Sequence, residues 1–280
     1  MEKTTSFQYS DDELRRLHDT LYELLGEVAR VCDRHGIAYF IIGGTAIGAH
    51  FWQGIIPWDD DIDIGMTRDN YERFLAIAPD ALRPAYFLQW QATDPHVPFY
   101  FAKVRKNDTL FCENQFKDIR MHQGIYVDIF PFDKVPDSPR KERLQHRLFN
   151  FFNGSLIAKE IWQYNKLGKC QADTPRHIGW PGAVVFRLMS LLPKTLLFRL
   201  TRRVQTWYNN KPYTRCKNIA TRSEWLFIDE AEHPRTVTLG PLRVTAPADL
   251  QAYLLHHYTH IEKHVPQAQR INHRPAALHF

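Results

Sequence analysis

At 280 residues, 44% hydrophobic and 24% charged, the chain is long enough to bury one large core and too apolar to be a disordered polyelectrolyte. A net charge of +5 suits anionic partners such as nucleotide or lipid phosphates without choosing among them. Its four cysteines, Cys32, Cys112, Cys170 and Cys216, show no Cys-x-x-Cys spacing, which argues against a zinc site or a disulfide framework and for a reduced, cytoplasmic compartment. The first residues contain no apolar signal-peptide core and no run of about eighteen apolar residues follows. A soluble or peripheral protein is therefore expected.

Ser10-Asp11-Asp12-Glu13 reads as an N-cap with an acidic first turn. Leu14, Leu17, Leu21, Leu24, Val28 and Val31 then recur at helical spacing up to Gly36. Ala38 to Ile42 is a short apolar run rich in β-formers and reads as a buried strand. Gly43-Gly44-Thr45 follows as a tight turn, where backbone N–H groups and the Thr45 hydroxyl can approach a phosphate before the next helix begins. In Asp61-Ile62-Asp63-Ile64 the alternation of a strand puts two carboxylates on one face and two isoleucines on the other. Two such charges repel, and a hard cation, Mg²⁺ or Mn²⁺, relieves that while bridging nucleotide phosphates. Asp59 and Asp60 fall at the strand entrance. No EF-hand spacing is present.

A helix is predicted from Arg68 to about Ala78, closed by Pro79, with Thr67 as its cap. Tyr86 to Trp90 and Phe99 to Arg105 read as added strands, the second carrying Lys103 and Arg105 on one face. Gly124 to Asp133 is a third strand with a proline stop at Pro131 and Asp128 in its middle. A carboxylate there needs a metal, a cation or a polar network to offset its burial. Asp133 reads as closing the next turn. From Ser138 to about Asn165 a basic, aromatic helix is predicted, followed by a second over 183–208 that Pro193 should kink or split. The stretch from Phe186 to Arg203 is basic and amphipathic, able either to pack on the core or to lie on an anionic membrane. Trp225 to Ile228, Thr236 to Gly240 and Leu242 to Val244 read as strands, the last two as a hairpin. A final helix runs through His257.

Gly43-Gly44-Thr45, Gly54 and Ile56-Pro57-Trp58-Asp59-Asp60-Asp61-Ile62-Asp63-Ile64 resemble the core pattern of the LicD family of phosphotransferases. Lys103-x-Arg105 with Asn107-x-Thr109 and Gly124-Ile125-x-Val127-Asp128-Ile129-Phe130-Pro131 look like two later family segments. The resemblance implies a nucleotidyltransferase-like α/β (α+β) fold, a mixed sheet with flanking helices. It further implies transfer of a phospho-alcohol, phosphocholine-like, from a CDP-activated donor such as CDP-choline onto a cell-surface glycan precursor: lipopolysaccharide, capsule or teichoic acid.

On that reading Asp61, Asp63 and Asp128 hold the metal and Asp128 accepts the acceptor's proton. Gly43, Gly44, Thr45, Lys103 and Arg105 contact phosphates, and His273 is a further candidate because the family often ends near a histidine. The chain departs from the family at His50-Phe51-Trp52-Gln53, where many members carry Val-Arg-His, so Phe51 and Trp52 replace an arginine and a histidine.

A single LicD-like domain is expected over 1–280: a core over 1–135, a helical appendage over 136–220, and strands with a final helix over 221–280. The acceptor would be lipid-linked at the inner face of a membrane, with peripheral contact from the basic helix and no nucleic-acid partner. Two alternatives stay open. One is a nucleotidyltransferase moving a nucleoside monophosphate from an NTP to a small hydroxylated acceptor. The other is a catalytically silent module binding membrane or nucleic acid.

Overall fold

The capping box read at Ser10 opens α1 (Asp11–His35): the Ser10 hydroxyl accepts from the Glu13 N–H, and the Glu13 carboxylate accepts from the Ser10 N–H. The helix ends where Gly36 adopts a left-handed conformation at φ 59°. Leu17, Leu21, Leu24, Leu25, Val28 and Val31 are fully or almost fully buried against the sheet. This computed structural model describes residues 9–166, 188–189, 191–221, 223–258, 261–266, 270 and 272–280. Cys170 and the predicted helix start from Ala183 to Arg187 lie outside the described residues.

The fold is α/β (α+β), a mixed seven-stranded sheet flanked by helices. Its main path runs from β1 (Phe40–Ile41) to β2 (Asp63–Thr67), β6 (Tyr126–Lys134), β4 (Ala102–Lys106) and β3 (Tyr86–Gln89). Among the described strands only β2 and β6 pair in parallel, with Asp63 opposite Asp128. Next to β6, β4 runs antiparallel and sets Lys103 opposite Asp128. Three charged residues on three adjacent strands thus share one row. The far end of β6 pairs with β7 (Arg215–Lys217), which pairs with β8 (Trp225–Phe227). Outside this sheet, β5 (Leu110–Cys112) pairs with β11 (Ala277–His279), and β9 (Arg235–Leu239) with β10 (Leu242–Ala246) in the expected hairpin.

Several sequence expectations are corrected by this arrangement. Gly43-Gly44-Thr45 is not a turn ahead of a helix but the first turn of α2 (Gly43–Trp52), with Ile42 as its cap. Pro79 lies inside α3 (Arg68–Ala81) rather than closing it. Pro131 does not stop β6, which continues to Lys134. The Asp128 N–H bonds the Ile62 carbonyl, so the even-numbered amides of β6 face β2 and position 131 points the other way. There β4 has already ended opposite Ile129 and β7 begins only at Asp133. The missing N–H costs no ladder bond.

One apolar core joins α1, both faces of the β1–β2 region and the tail residues Leu239, Val244, Leu250, Tyr253 and Leu254. A second, smaller cluster of Tyr100, Val135, Phe149, Val204 and Ile219 holds α4 (Pro139–Lys166) and α5 (Lys194–Gln205) beside the sheet. Pro193 caps α5, as a splitting proline should. The short α6 (Ile228–Glu232) and then α7 (Leu250–His257), capped by Asp249, complete the described helices.

Candidate active site

Asp63 enters the site because β2 begins there, and its position is pinned from two sides. Its N–H donates to the Thr45 hydroxyl at 2.9 Å, and its carbonyl accepts from Ile42 N at 3.1 Å. The buried Thr45 side chain therefore ties the head of α2 to the start of β2. The start of α2 lies against the carboxylates. A Cβ on Gly44 would sit 2.8 Å from Asp59 Oδ2, and one on Gly43 3.5 Å from Asp63 Oδ2. Gly43 has φ 55°, and its N–H donates to the Tyr253 hydroxyl at 3.2 Å. The positive end of a helix is thus aimed at an acidic cluster, a setting that also suits phosphate.

Asp128 meets this cluster from the neighbouring strand. Lys103 Nζ lies 3.0 Å from its Oδ1 and 3.3 Å from its Oδ2, and 3.2 Å from Glu113 Oε2. Only the Oδ2 contact has hydrogen-bond geometry, which leaves Oδ1 buried without a directed donor. Lys103 also sits over the Tyr126 ring at 3.4 Å from its centroid. Arg105 is fully buried two pairs further along, opposite Tyr126. It donates to the Gly124 carbonyl at 2.6 Å, to Glu113 at 3.3 Å and to the Gln89 side chain. The two cations expected to face a ligand are therefore interior side chains of a central strand. Lys103 lines the cavity beside Asp128, whereas Arg105 is not among the described lining residues. Glu113, which follows β5, carried no periodic signal in the sequence and joins the site only through tertiary pairing. Burial pushes its carboxyl up, but Lys103 and Arg105 outweigh that and leave it below the usual range.

The strand entrance is equally organised. Asp60 is buried and accepts from the Tyr9 hydroxyl at 2.7 Å and from the His273 N–H at 2.8 and 3.0 Å. His273 Nδ1 lies 3.5 Å from Asp60 and 3.7 Å from Asp61. Its imidazole is raised to about 9, chiefly by the Asp60 contact and then by the charge of Asp61. Among the described tail histidines, His273 is the one the fold carries to the carboxylates. Asp133, expected to close a turn, is instead fully buried. Arg68 donates to it at 2.8 and 2.5 Å and Asn209 at 2.7 Å.

Burial raises the carboxyl groups of Asp59 to about 8, Asp61 to about 6 and Asp128 to about 7, and that of Asp63 well above its ordinary value. Neighbouring carboxylates add to the rise at each, while Lys103 opposes it at Asp128. An all-oxygen donor set, mutually repelling and with one buried oxygen that lacks a directed hydrogen bond, fits a hard divalent cation. Among the described residues the group that brings three ligand atoms within 4.8 Å of one another is Asp60, Asp61 and His273, not the expected Asp61, Asp63 and Asp128. Asp60 is already saturated by donors, so we place it as an organiser of Asp61. A cavity of about 780 Å³ opens on Asp61, Lys103, Glu113, Asp128 and His273, with Phe99, Phe101 and Phe116 in its walls.

Residues 36–171 match the LicD/FKTN/FKRP nucleotidyltransferase domain. The chain is 34% identical over 111 residues to the lipopolysaccharide cholinephosphotransferase LicD of Haemophilus influenzae, across 39% of this chain and 40% of that protein. It is 31% identical over 114 residues to an uncharacterized protein of Rickettsia typhi, across 41% of this chain and 34% of the relative. A similar match, 33% over 118 residues, links it to an uncharacterized protein of Rickettsia prowazekii, across 42% of this chain and 41% of the relative. Each match spans less than half of the relative's own length. The motif around Gly43 to Ile64, the Asp63–Asp128 pairing and these matches together make residues 36–171 a domain of the LicD family.

Proposed function

We propose that the protein is a metal-dependent phosphotransferase that moves a phospho-alcohol, of the phosphocholine type, from a CDP-activated donor to a hydroxyl of a lipopolysaccharide-like glycan. The observation that carries this reading is the side-by-side placement of Asp63 and Asp128 on parallel strands, two residues after Asp61, with Asp61 and Asp128 opening on an aromatic-walled cavity whose described lining does not include Asp63. Asp61, Asp63 and Asp128 would hold Mg²⁺ or Mn²⁺. When bound, such an ion screens phosphate charge and polarises the phosphoryl group under attack.

The chain's own groups do the rest. The head of α2, with Gly43, Gly44 and Thr45, orients the diphosphate, and Lys103 supplies positive charge beside Asp128. Arg105 acts at one remove, locking Glu113 and through it Lys103. Phe99, Phe101 and Phe116 offer an apolar wall to a base or a quaternary ammonium. A bond forms between the acceptor oxygen and the phosphorus bearing the alcohol. The bond from that phosphorus to the bridging oxygen breaks, and CMP leaves. The acceptor's proton passes to Asp128, whose raised carboxyl suits a base working near neutral pH.

We read the described chain as one LicD-like domain, since residues 221–280 contribute to the core of the amino-terminal half. No helix among the described residues is long and apolar enough to cross a membrane. Leu188, Leu191 and Leu196 are exposed near Arg199 and Arg203, a surface suited to peripheral contact at the inner face of a membrane carrying the acceptor. Lys194 and Arg202, also expected to supply attraction there, instead pair with Glu160 and Glu72.

The test is to incubate the purified protein with CDP-choline and other CDP-alcohols, with Mg²⁺, with Mn²⁺ or with chelator, and to follow CMP with and without lipopolysaccharide. Metal-dependent CMP release with label on the glycan is expected. Pyrophosphate release from an NTP, with none from CDP-alcohols, would instead establish the nucleotidyltransferase alternative.

A further inference from the structure

A second cavity, of about 470 Å³, lies between the end of α2 and residues 263–266, with Trp52, Trp58, Lys263 and Arg270 in its lining. That volume is in the range of small-ligand sites, roughly 300–1,000 Å³. The two indoles meet edge to face, with ring centroids 5.6 Å apart and planes at 85°, so the cavity is lined by two aromatic rings set at a right angle. Phe51 extends the same aromatic row at 5.8 Å from Trp52. Arg270 stacks over Trp58 at 4.4 Å and donates to the Val265 carbonyl at 3.1 Å. Lys263 is exposed at the rim, and no carboxylate is among the described residues lining the cavity.

This platform is rigidly backed. Gln53 closes α2 in a left-handed conformation at φ 51°. Its carbonyl accepts from Gly240 N at 2.5 Å, and Gly54 N donates to the Gly48 carbonyl at 3.4 Å. Packing is so close that a Cβ on Gly48 would collide with the Gly54 carbonyl oxygen. Trp52 therefore stands on a closely packed corner, which lowers the ordering cost of binding.

We propose that this cavity is a subsite for a sugar unit carrying an anionic group, a uronic acid or a phosphorylated hexose. Pyranose rings present axial C–H groups that pack on indole faces, while Lys263 and Arg270 supply charge for a carboxylate or phosphate. Its position fits this role. Two residues separate Trp58 from Asp61, so their Cα atoms lie within about 11 Å, and a glycan seated here reaches the carboxylates through its next unit. The subsite rests on the proposed glycan acceptor and gives that acceptor its chemistry.

The full-length protein is titrated with glucuronate, glucose 6-phosphate, methyl glucoside and inorganic phosphate, read by saturation-transfer NMR and tryptophan fluorescence. Glucuronate or glucose 6-phosphate should bind at least about tenfold more tightly than methyl glucoside. Whichever of the two binds better distinguishes carboxylate from phosphate as the recognised group. Trp52→Ala and Trp58→Ala should each weaken binding by about tenfold or more, and Arg270→Gln should remove most of the preference for the anion. Trp58→Phe, checked by circular dichroism for an intact fold, should retain part of the binding. Undiminished binding by both alanine variants overturns the proposal, as does equal affinity for methyl glucoside, phosphate binding as tight as that of the sugar phosphate, or no binding at all by the wild type. Metal-dependent CMP release by the wild type is measured in parallel. Tryptophan-dependent sugar binding without CMP release leaves the subsite and removes the transfer reaction, and the converse result does the opposite.

Discussion

Asp59, Asp61, Asp63 and Asp128 each sit among carboxylates that raise their proton affinity, so removing one should relieve the rest. We predict that Asp61→Asn and Asp63→Asn abolish CMP release while the metal-free protein melts at a higher temperature than wild type, because a buried charge and its repulsions are gone. Near wild-type turnover at ordinary metal concentration would rule out the metal assignment. For Asp128→Asn, donor binding should persist with transfer reduced about 10²-fold, the scale of a missing general base. Loss of donor binding in calorimetry would leave metal holding or structure, and not proton transfer, as the part Asp128 plays. Lys103→Met leaves Glu113 and Asp128 without their shared cation. Breaking such a buried pair costs about 3–5 kcal/mol, which denaturant titration would register as a lower midpoint at unchanged slope.

The pairing of β2 with β6 is the element-scale condition for the site, and Gly65 is what permits it. A Cβ there would lie 2.6 Å from the Phe40 ring and 2.7 Å from the Phe132 ring. Those rings pack edge to face at 5.0 Å and cannot both withdraw. Gly65→Ala should therefore destabilise the protein by about 1–3 kcal/mol, the usual cost of overpacking, and shift Asp63 against Asp128. A variant that unfolds at the wild-type denaturant midpoint would contradict this. Gly44→Ala tests the neighbouring element: its Cβ presses on the Asp59 carboxylate and should weaken donor binding more than it lowers stability.

For the whole molecule the acidic cluster links stability to pH. These carboxyls have raised values in the folded state, so their protonated forms favour folding and ionisation opposes it. Stability of the metal-free protein should fall as pH rises from about 4, near the unfolded carboxylate value, through the values of about 6, 7 and 8 at Asp61, Asp128 and Asp59. Bound Mn²⁺ needs the ionised forms, so its stabilising shift should grow over the same window. Thermal melts with Mn²⁺ or chelator at half-unit pH steps measure both trends, and a metal shift independent of pH would separate the cation from these residues. Vesicle sedimentation across a salt series tests the surface around Leu188, Leu191 and Arg199. Salt-sensitive binding to anionic vesicles is expected, and equal binding to neutral ones would count against an electrostatic contact.

Local rules make the centre of the site legible in the amino-acid sequence. Strand alternation predicts Asp61 and Asp63 on one side, although the strand itself begins only at Asp63. An apolar run isolates Asp128, and a capping box opens α1; each depends on residues within a few positions of one another. The same rules misjudge Pro131 and Pro79, because whether a proline ends an element depends on which neighbour needs its N–H. They misplace Asp133 and do not show that Lys103 and Arg105 are buried, since a charge in a strand looks alike in sequence whether it meets solvent or a buried partner. Asp60 and His273 are 213 residues apart, and Glu113 reaches Lys103 only because β5 is held against β11. Chain-local chemistry names the carboxylates and the fold class. The partners that neutralise and orient them come from remote segments, and only close packing in three dimensions selects those.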